Sequence, residues 1–122
     1  SLVENKICSE KKVALNVLAT VVSTPTKNRA IIDAGSKVLT SDLFGMNDYG
    51  SIVNYPELRI TQLTEEHGTI VSEQNTNLEI GQKIQIIPNH ACVVTNMLDE
   101  VNLITEEKKL KKVKVVARGK VW

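Results

Sequence analysis

A chain of 122 residues fits one domain and leaves enough length for a hydrophobic core. Its 42% apolar and 24% charged residues are typical of a soluble globular protein. The formal charge of +1 gives no long-range attraction for nucleic acid or an acidic membrane, and 3% aromatic residues leave little for a base-stacking surface, so we expect neither partner.

The first strand is predicted over Lys12–Ser23, where β-branched residues are frequent and Pro25 follows as the expected terminator. Thr24–Asn28 has the composition of a turn. Arg29–Asp33 then returns as a second strand, antiparallel to the first, until Ala34-Gly35-Ser36 breaks it.

The middle of the chain predicts a loop followed by a pair of strands. Phe44–Gly50 is rich in turn-forming residues. Leu58–Leu63 alternates apolar and polar residues, which is typical of a strand with one face on the core. Glu65-Glu66-His67-Gly68 is an acidic-basic corner before Thr69–Val71, so these two segments predict a hairpin or two abutting strands.

The last third predicts further short strands. Lys83–Ile87 places Ile84 and Ile86 on one face of a strand, and two short apolar segments follow at Val93–Leu98 and Val101–Ile104. The lysine-rich run 108–114 is interpreted as a solvated turn and edge strand, and the run 113–118 as the last strand.

Seven or eight short strands with frequent turns predict an all-β, mainly antiparallel barrel or sandwich with few short helical turns. We expect residues 1–122 to form a single domain, because their number fits one domain of ordinary size, and no internal repeat is evident. Gly35-Ser36-Lys37 lacks the upstream glycine of a phosphate-binding loop. The chain also lacks the Gly-x-Ser-x-Gly signature of serine hydrolases.

Cys8 and Cys92 are the only cysteines of the chain. They could pair in principle, but two cysteines do not make a disulfide framework in a domain of this size, so we expect a cytoplasmic protein. The start shows no signal peptide, and no apolar run approaches the ~20 residues of a membrane span. Because the chain begins at Ser1 without a methionine, we expect a processed or excised piece of a longer protein.

A candidate metal site lies in Pro88-Asn89-His90-Ala91-Cys92, which follows an apolar run. In extended backbone, positions i and i+2 point to the same side, so His90 and Cys92 could reach one zinc ion. On a helix the same spacing separates side chains by about 200°, so the site needs extended backbone. The alternative, a half-exposed histidine beside a buried free cysteine, stays open because two ligands do not complete a zinc site.

Several motifs occur in an order that resembles the C-terminal domain of the D-serine dehydratase and D-threonine aldolase family, from about Val17 to Gly119. The motifs are Asp33-Ala34-Gly35-Ser36-Lys37, Asp42, Tyr49-Gly50, Glu65-Glu66-His67-Gly68, Leu78-Glu79-Ile80-Gly81-Gln82, Ile87-Pro88-Asn89-His90-Ala91-Cys92 and Ala117-Arg118-Gly119. Their number and similar spacing make the resemblance specific.

The resemblance implies a pyridoxal-phosphate enzyme of the alanine racemase fold type that acts on a D-amino acid. In such enzymes an N-terminal α/β barrel carries the cofactor lysine, and a C-terminal β domain covers the active site of a homodimer. The barrel takes ~250 residues, so it is absent from this chain, and we expect the chain alone to be inactive.

Carried over by position, His90 and Cys92 match the metal pair of the family. The His-x-Cys pattern resembles the zinc-using dehydratase branch, whereas the aldolase branch has Asp in the second place and tends to use manganese. Substrate groups and water would fill the open positions of the metal. His67 is a possible substrate contact or a solvated turn histidine, and Asp33 and Lys37 are expected to organise the loop and the dimer contact.

Three functional hypotheses follow. The first is the metal-bearing domain of a D-serine dehydratase or D-threonine aldolase type lyase. The second is a free-standing β-barrel module that binds a partner or a metal without catalysis. The third is part of an alanine-racemase-like racemase, which would need a catalytic tyrosine, for which Tyr49 and Tyr55 are the only candidates.

Overall fold

The structure is a computed structural model that describes residues 8–120. The expectation of an excised piece rests on the opening residues, which lie outside this range. The eight strands are Val17–Thr26 (β1), Arg29–Ile32 (β2), Ser51–Ile52 (β3), Arg59–Leu63 (β4), Gly68–Val71 (β5), Lys83–Ile87 (β6), Glu100–Ile104 (β7) and Leu110–Lys114 (β8). The helices are Ser36–Leu39 (α1) and Ala91–Asn96 (α2), with a 3₁₀ turn at Glu10–Lys12.

Six strands close into a barrel in the order β1-β2-β5-β4-β3-β6. Every pairing is antiparallel, and the return of β6 onto β1 closes the barrel. The prediction of an all-β, mainly antiparallel barrel with few short helices is therefore confirmed. Among the strands within residues 8–120, β7 and β8 pair only with each other and form a separate two-stranded ribbon, Glu100–Lys114.

Branched aliphatic side chains fill the barrel, as the shortage of aromatic residues requires. Ile60 on β4 lies opposite Ile70 on β5, and both are fully buried. Alternation along β6 buries Ile84 and Ile86, as predicted. The largest fully buried side chains are Ile32, Ile60, Ile70, Ile86, Val21 and Val94.

The predicted bounds of the first strand are wrong at both ends. β1 begins at Val17 rather than Lys12, and it continues through Pro25 to Thr26. The pairing of β1 with β2 shifts register between Ser23 and Thr26, so Pro25 lies at an irregularity where the sheet tolerates the loss of a backbone N–H donor.

Two predictions for the end of the chain are also wrong. Val93–Leu98 was expected among the short strands, but α2 occupies most of it. β6 ends before the buried Pro88, and Val94 is the buried residue of the helix that follows. The last strand is Leu110–Lys114 rather than 113–118, which agrees with the edge strand expected in the lysine-rich run.

Cys8 and Cys92 are both free thiols in the structure, so they do not form the disulfide that was possible in principle. Within residues 8–120, no helix has the length and apolar character needed to cross a membrane.

Candidate metal centre

The candidate site lies where the chain leaves the barrel. β6 ends at Ile87, the next residue, Pro88, is buried, and His90 is the N-cap of α2 with extended backbone angles of −134° and 98°. The expected extended stretch therefore reaches His90 but not Cys92, which lies in the first turn of α2. The side chains of His90 and Cys92 therefore do not share one side of a strand.

His90 is held by a carboxylate from a distant loop. Its Nδ1 lies 2.8 Å from Oδ2 of Asp42, 48 positions earlier in the chain. The Phe44 ring lies against the imidazole, with 4.7 Å between ring centroids and 40° between their planes. The His90 side chain is 29% exposed, so these contacts leave part of the ring open to solvent.

The carboxylate determines which ring nitrogen is available to a ligand. An ionised carboxylate only accepts hydrogen bonds, so Nδ1 of His90 donates its proton to Asp42. In neutral imidazole the other nitrogen, Nε2, then carries the free lone pair. Metal-binding histidines commonly donate their second ring nitrogen to a carboxylate in this way.

Asp42 also shapes the loop from which it reaches His90. Its Oδ1 accepts the backbone N–H of Phe44 at 2.9 Å, which holds Phe44 in the left-handed region at φ 50°. The hydrogen bond from His90, with a smaller contribution from Phe44, lowers the pKa of Asp42 below its ordinary value. We call residues Asp42–Asp48 the site loop.

Asn89 fastens the site loop to the end of β6. Its side-chain nitrogen donates to the backbone oxygen of Leu43 at 3.2 Å and to that of Asp48 at 2.6 Å. Asp48 is also paired with Arg59 of β4, at 3.3 Å from Nε. The residue before His90 therefore holds the loop in place against the barrel wall.

Cys92 has different surroundings. It is exposed, and it lines an open depression between α2 and the segment that follows β8. The residues around this depression are Ala91, Cys92, Thr95, Asn96, Val115 and Ala117. The thiol is thus accessible to a ligand.

The structure does not assemble a complete metal site from this chain. In residues 8–120, no three histidine, cysteine or acidic side chains lie together in a way that could hold a metal ion. His90 and Cys92 are separated by one residue, the His90 side chain is 29% exposed, and Cys92 is exposed. An imidazole nitrogen and a thiolate are donor types that zinc accepts, and two of them leave positions open for ligands from elsewhere.

His67 lies at a different corner of the barrel, in the turn between β4 and β5. Its backbone N–H donates to Oγ1 of Thr64 at 3.0 Å, and its side chain is exposed. Beside it, Nζ of Lys37 lies 2.5 Å from Glu66 and 3.1 Å from Glu65. No recorded contact joins His67 to His90 or Cys92, so its role as a substrate contact stays a prediction.

The remaining candidates have contacts that organise loops. Asp33 accepts the backbone N–H of Thr20 at 2.6 Å, and Lys37 pairs with the acidic corner, as expected for loop organisation. Tyr55 accepts a hydrogen bond from the Gln82 side chain at 2.9 Å. Both Tyr49 and Tyr55 are partly buried and pack against the core.

The family described as "Putative serine dehydratase domain" matches residues 14–104. An uncharacterised protein of Mycobacterium tuberculosis is 35% identical over 119 residues, which cover 93% of this chain and 90% of that protein. D-serine dehydratase of Dictyostelium discoideum is 32% identical, covering 84% of this chain and 30% of the enzyme.

D-threo-3-hydroxyaspartate dehydratase of a Delftia species is 31% identical, covering 70% of this chain and 27% of the enzyme. Its structure superposes with a TM-score of 0.76 at 25% identity, over 93% of this chain and 35% of that one. D-threonine aldolase of Filomicrobium marinum gives a TM-score of 0.75 at 30% identity, over 88% and 29%.

The chain spans about a third of the length of these named enzymes but nearly all of the mycobacterial protein. The family match covers most of the chain, and the barrel superposes on the corresponding part of enzymes from the same group. The chain belongs to the serine dehydratase domain family.

Proposed function

We propose that this chain is the metal-bearing β domain of a pyridoxal-phosphate-dependent D-amino-acid lyase of the D-serine dehydratase or D-threonine aldolase type. In this proposal His90 and Cys92 bind one divalent metal at an active site that a cofactor-bearing α/β barrel completes. The observation that carries the proposal is the partly exposed imidazole of His90 and the exposed Cys92 after β6, in a chain that belongs to this family.

The names of the relatives agree on a substrate class. D-serine, D-threonine and D-threo-3-hydroxyaspartate are all D-amino acids with a hydroxyl group on the β carbon. Cleavage at that carbon requires either departure of the hydroxyl group or loss of its proton. We therefore propose a D-β-hydroxy-amino acid as the substrate of the complete enzyme.

Variants of one relative support the choice of ligands. D-threo-3-hydroxyaspartate dehydratase has been solved with a histidine replaced by alanine, and also with a cysteine two positions further along replaced by alanine, the latter in a metal-free form. His90 and Cys92 are the same residue types at the same spacing. The thiolate favours zinc over manganese, which prefers oxygen ligands.

Pyridoxal phosphate, when bound, supplies an electron sink for negative charge at the α carbon, and a bound zinc ion supplies Lewis-acid polarisation of the β-hydroxyl. This chain's own contribution is to place two donors and to leave the remaining positions open. His90 presents Nε2 because Asp42 holds Nδ1. Phe44 covers part of the imidazole and excludes water from that side.

We further propose that the domain works in a homodimer in the cytoplasm, against an α/β barrel that carries the cofactor lysine, as the family resemblance implies. The two free thiols support a reducing compartment. Light scattering of the complete gene product tests the dimer, which a monomer at working concentration would contradict.

The function is tested with the complete product of the gene that encodes this chain. Ammonia release from D-serine and acetaldehyde release from D-threonine are measured, with the L-amino acids as controls. We expect activity on the D-amino acids. Cys92→Ala and His90→Ala should each lower that activity about 100-fold or more, because a bound metal stabilises the charge that develops in the transition state by several kcal/mol. Cys8→Ala is the matched thiol control and should keep full activity.

Two results would overturn the proposal: a complete gene product inactive on all D-β-hydroxy-amino acids, or one whose activity survives Cys92→Ala.

The mycobacterial relative favours a second candidate, because that protein is only about as long as this domain and has no room for a further barrel of ~250 residues. A product without cofactor that still binds zinc through His90 and Cys92 would support this second candidate, a non-catalytic metal-binding module.

A further inference from the structure

We infer that Asp42 is a positioning residue for the metal centre, which fixes the tautomer of His90 so that Nε2 keeps its lone pair for a metal. The inference rests on the proposed function, because it concerns the same site. Asp42 lies 48 positions before His90 in the sequence, and its carboxylate holds the ring of that proposed ligand.

One carboxylate makes both contacts that define this arrangement. Oδ2 of Asp42 accepts Nδ1–H of His90 at 2.8 Å, and Oδ1 accepts the Phe44 N–H at 2.9 Å. The second contact fixes the direction of the carboxylate, and the first fixes the direction of the ring. A change at Asp42 therefore acts on His90 through orientation and through its proton.

The loop that carries Asp42 is anchored independently of that carboxylate. Asn89 donates to the backbone oxygens of Leu43 and Asp48, and Asp48 is paired with Arg59 of the barrel. Substitution of Asp42 therefore leaves three contacts that keep the site loop against the barrel. This allows the effect on His90 to be separated from unfolding of the loop.

The tautomer matters because a metal needs a nitrogen lone pair. Without a fixed acceptor at Nδ1, neutral imidazole can carry its proton on either nitrogen, and protonation at Nε2 removes the lone pair with which that nitrogen would bind a metal. Loss of such an outer partner typically costs 10–100-fold in metal affinity, with the ligands themselves unchanged.

The Asp42→Asn variant provides the sharpest test. The asparagine oxygen can still accept the Phe44 N–H, which preserves the loop, but its NH₂ group would face Nδ1 and donate to it. His90 should then switch to the tautomer protonated at Nε2. Glu66→Gln, which removes an exposed carboxylate paired with Lys37 at a different corner of the barrel, is the matched control.

Two measurements are made on each variant. Nitrogen-15 NMR of the His90 ring reports the tautomer without metal, and competition with a chromophoric chelator reports zinc affinity. We expect Asp42→Asn to move the ring to the Nε2-protonated form and to weaken zinc binding by about 10–100-fold, while Glu66→Gln changes neither. Asp42→Ala should weaken zinc binding as well, with a mixture of tautomers.

The outcomes separate this inference from the proposed function. If Asp42→Asn leaves the tautomer or the zinc affinity as in the wild type, the inference is wrong even though His90 and Cys92 remain ligands. If His90→Ala and Cys92→Ala bind zinc as tightly as the wild type, the proposed site itself is wrong. Zinc affinity that falls in both alanine variants and in Asp42→Asn supports both.

Discussion

The barrel and the ribbon Glu100–Lys114 have the same secondary structure and opposite burial. Six strands of the barrel enclose side chains such as Ile60 and Ile70 that have no exposure to solvent. In the ribbon, every residue of β8 is exposed, and only Val101 of β7 is half-buried. Hydrogen bonds between paired strands are therefore not by themselves a measure of stability, because burial of apolar side chains supplies most of the free energy that stabilises the folded state.

The candidate site lies between these two regions. His90 is tied to the barrel through Asp42, whereas Cys92 lines a depression with Val115 and Ala117, which follow the ribbon. The two proposed ligands thus depend on parts of the molecule with different stability. Changes in the barrel and in the ribbon should therefore have effects of different size.

The largest expected effect is in the barrel core. Ile60→Ala should lower the free energy of unfolding by about 2–5 kcal/mol, because it leaves a cavity in a fully buried site. The matched change in the ribbon, Leu103→Ala, affects a side chain that is 50% exposed and should cost less than about 0.5 kcal/mol. Urea unfolding measures both, and equal losses would contradict the comparison.

A smaller effect is expected where the residue before α1 packs against the turn between β4 and β5. A Cβ atom on Gly35 would lie 2.4 Å from the Glu65 backbone oxygen and 2.5 Å from the His67 nitrogen, so Gly35→Ala should cost about 1–3 kcal/mol. A Cβ atom on Gly119, which follows the ribbon, would have no atom within 4 Å. Gly119→Ala should therefore cost only the backbone strain of its positive φ of 70°. A Gly119→Ala variant less stable than Gly35→Ala in urea unfolding would reverse the expected order.

At the base of the ribbon the expected effect is local. Arg118 pairs with Asp99, and the Gly119 N–H donates to Oδ1 of Asn96 at 2.8 Å. Asp99→Ala should remove about 0.2–1 kcal/mol, since the pair is exposed, and hydrogen exchange should accelerate in the ribbon amides only. Equal acceleration of the barrel amides would mean that the two regions unfold together.

The smallest effect concerns pH. The hydrogen bond from Lys37 lowers the pKa of Glu66 below 4.5, so the ionised carboxylate stabilises the folded state above that value. This contribution is lost as the pH falls through the lowered pKa of the folded state. The melting temperature of the wild type should exceed that of Glu66→Gln at neutral pH and converge with it in acid, and a difference that persists in acid would contradict the assignment.

The sequence predicted the barrel because period-2 alternation is a local signal. Lys83–Ile87 was predicted with its observed bounds, since Ile84 and Ile86 both face a core that needs them. β1 and α2 were predicted wrongly where tertiary contacts override local preference. A register shift accommodates Pro25 in β1, and the β-branched segment that contains Val93 and Val94 is helical, with Val94 in the core.

The site was less predictable than the barrel. His90 and Cys92 were identified as candidate ligands from their types and spacing, and their role stays a proposal. Asp42 was noted only as part of a motif, because its contact with His90 spans 48 positions and no local pattern connects the two residues. Phe44 gave no signal beyond its place in a turn-rich loop.

X-ray absorption at the zinc edge of the complete gene product tests the central claim most directly, because it identifies the atoms bound to the metal. The account predicts one sulfur at about 2.3 Å together with nitrogen or oxygen at about 2.0–2.2 Å. The sulfur contribution should disappear in Cys92→Ala and remain in Cys8→Ala. A zinc shell without sulfur in the wild type, or a sulfur that persists in Cys92→Ala, would contradict the account.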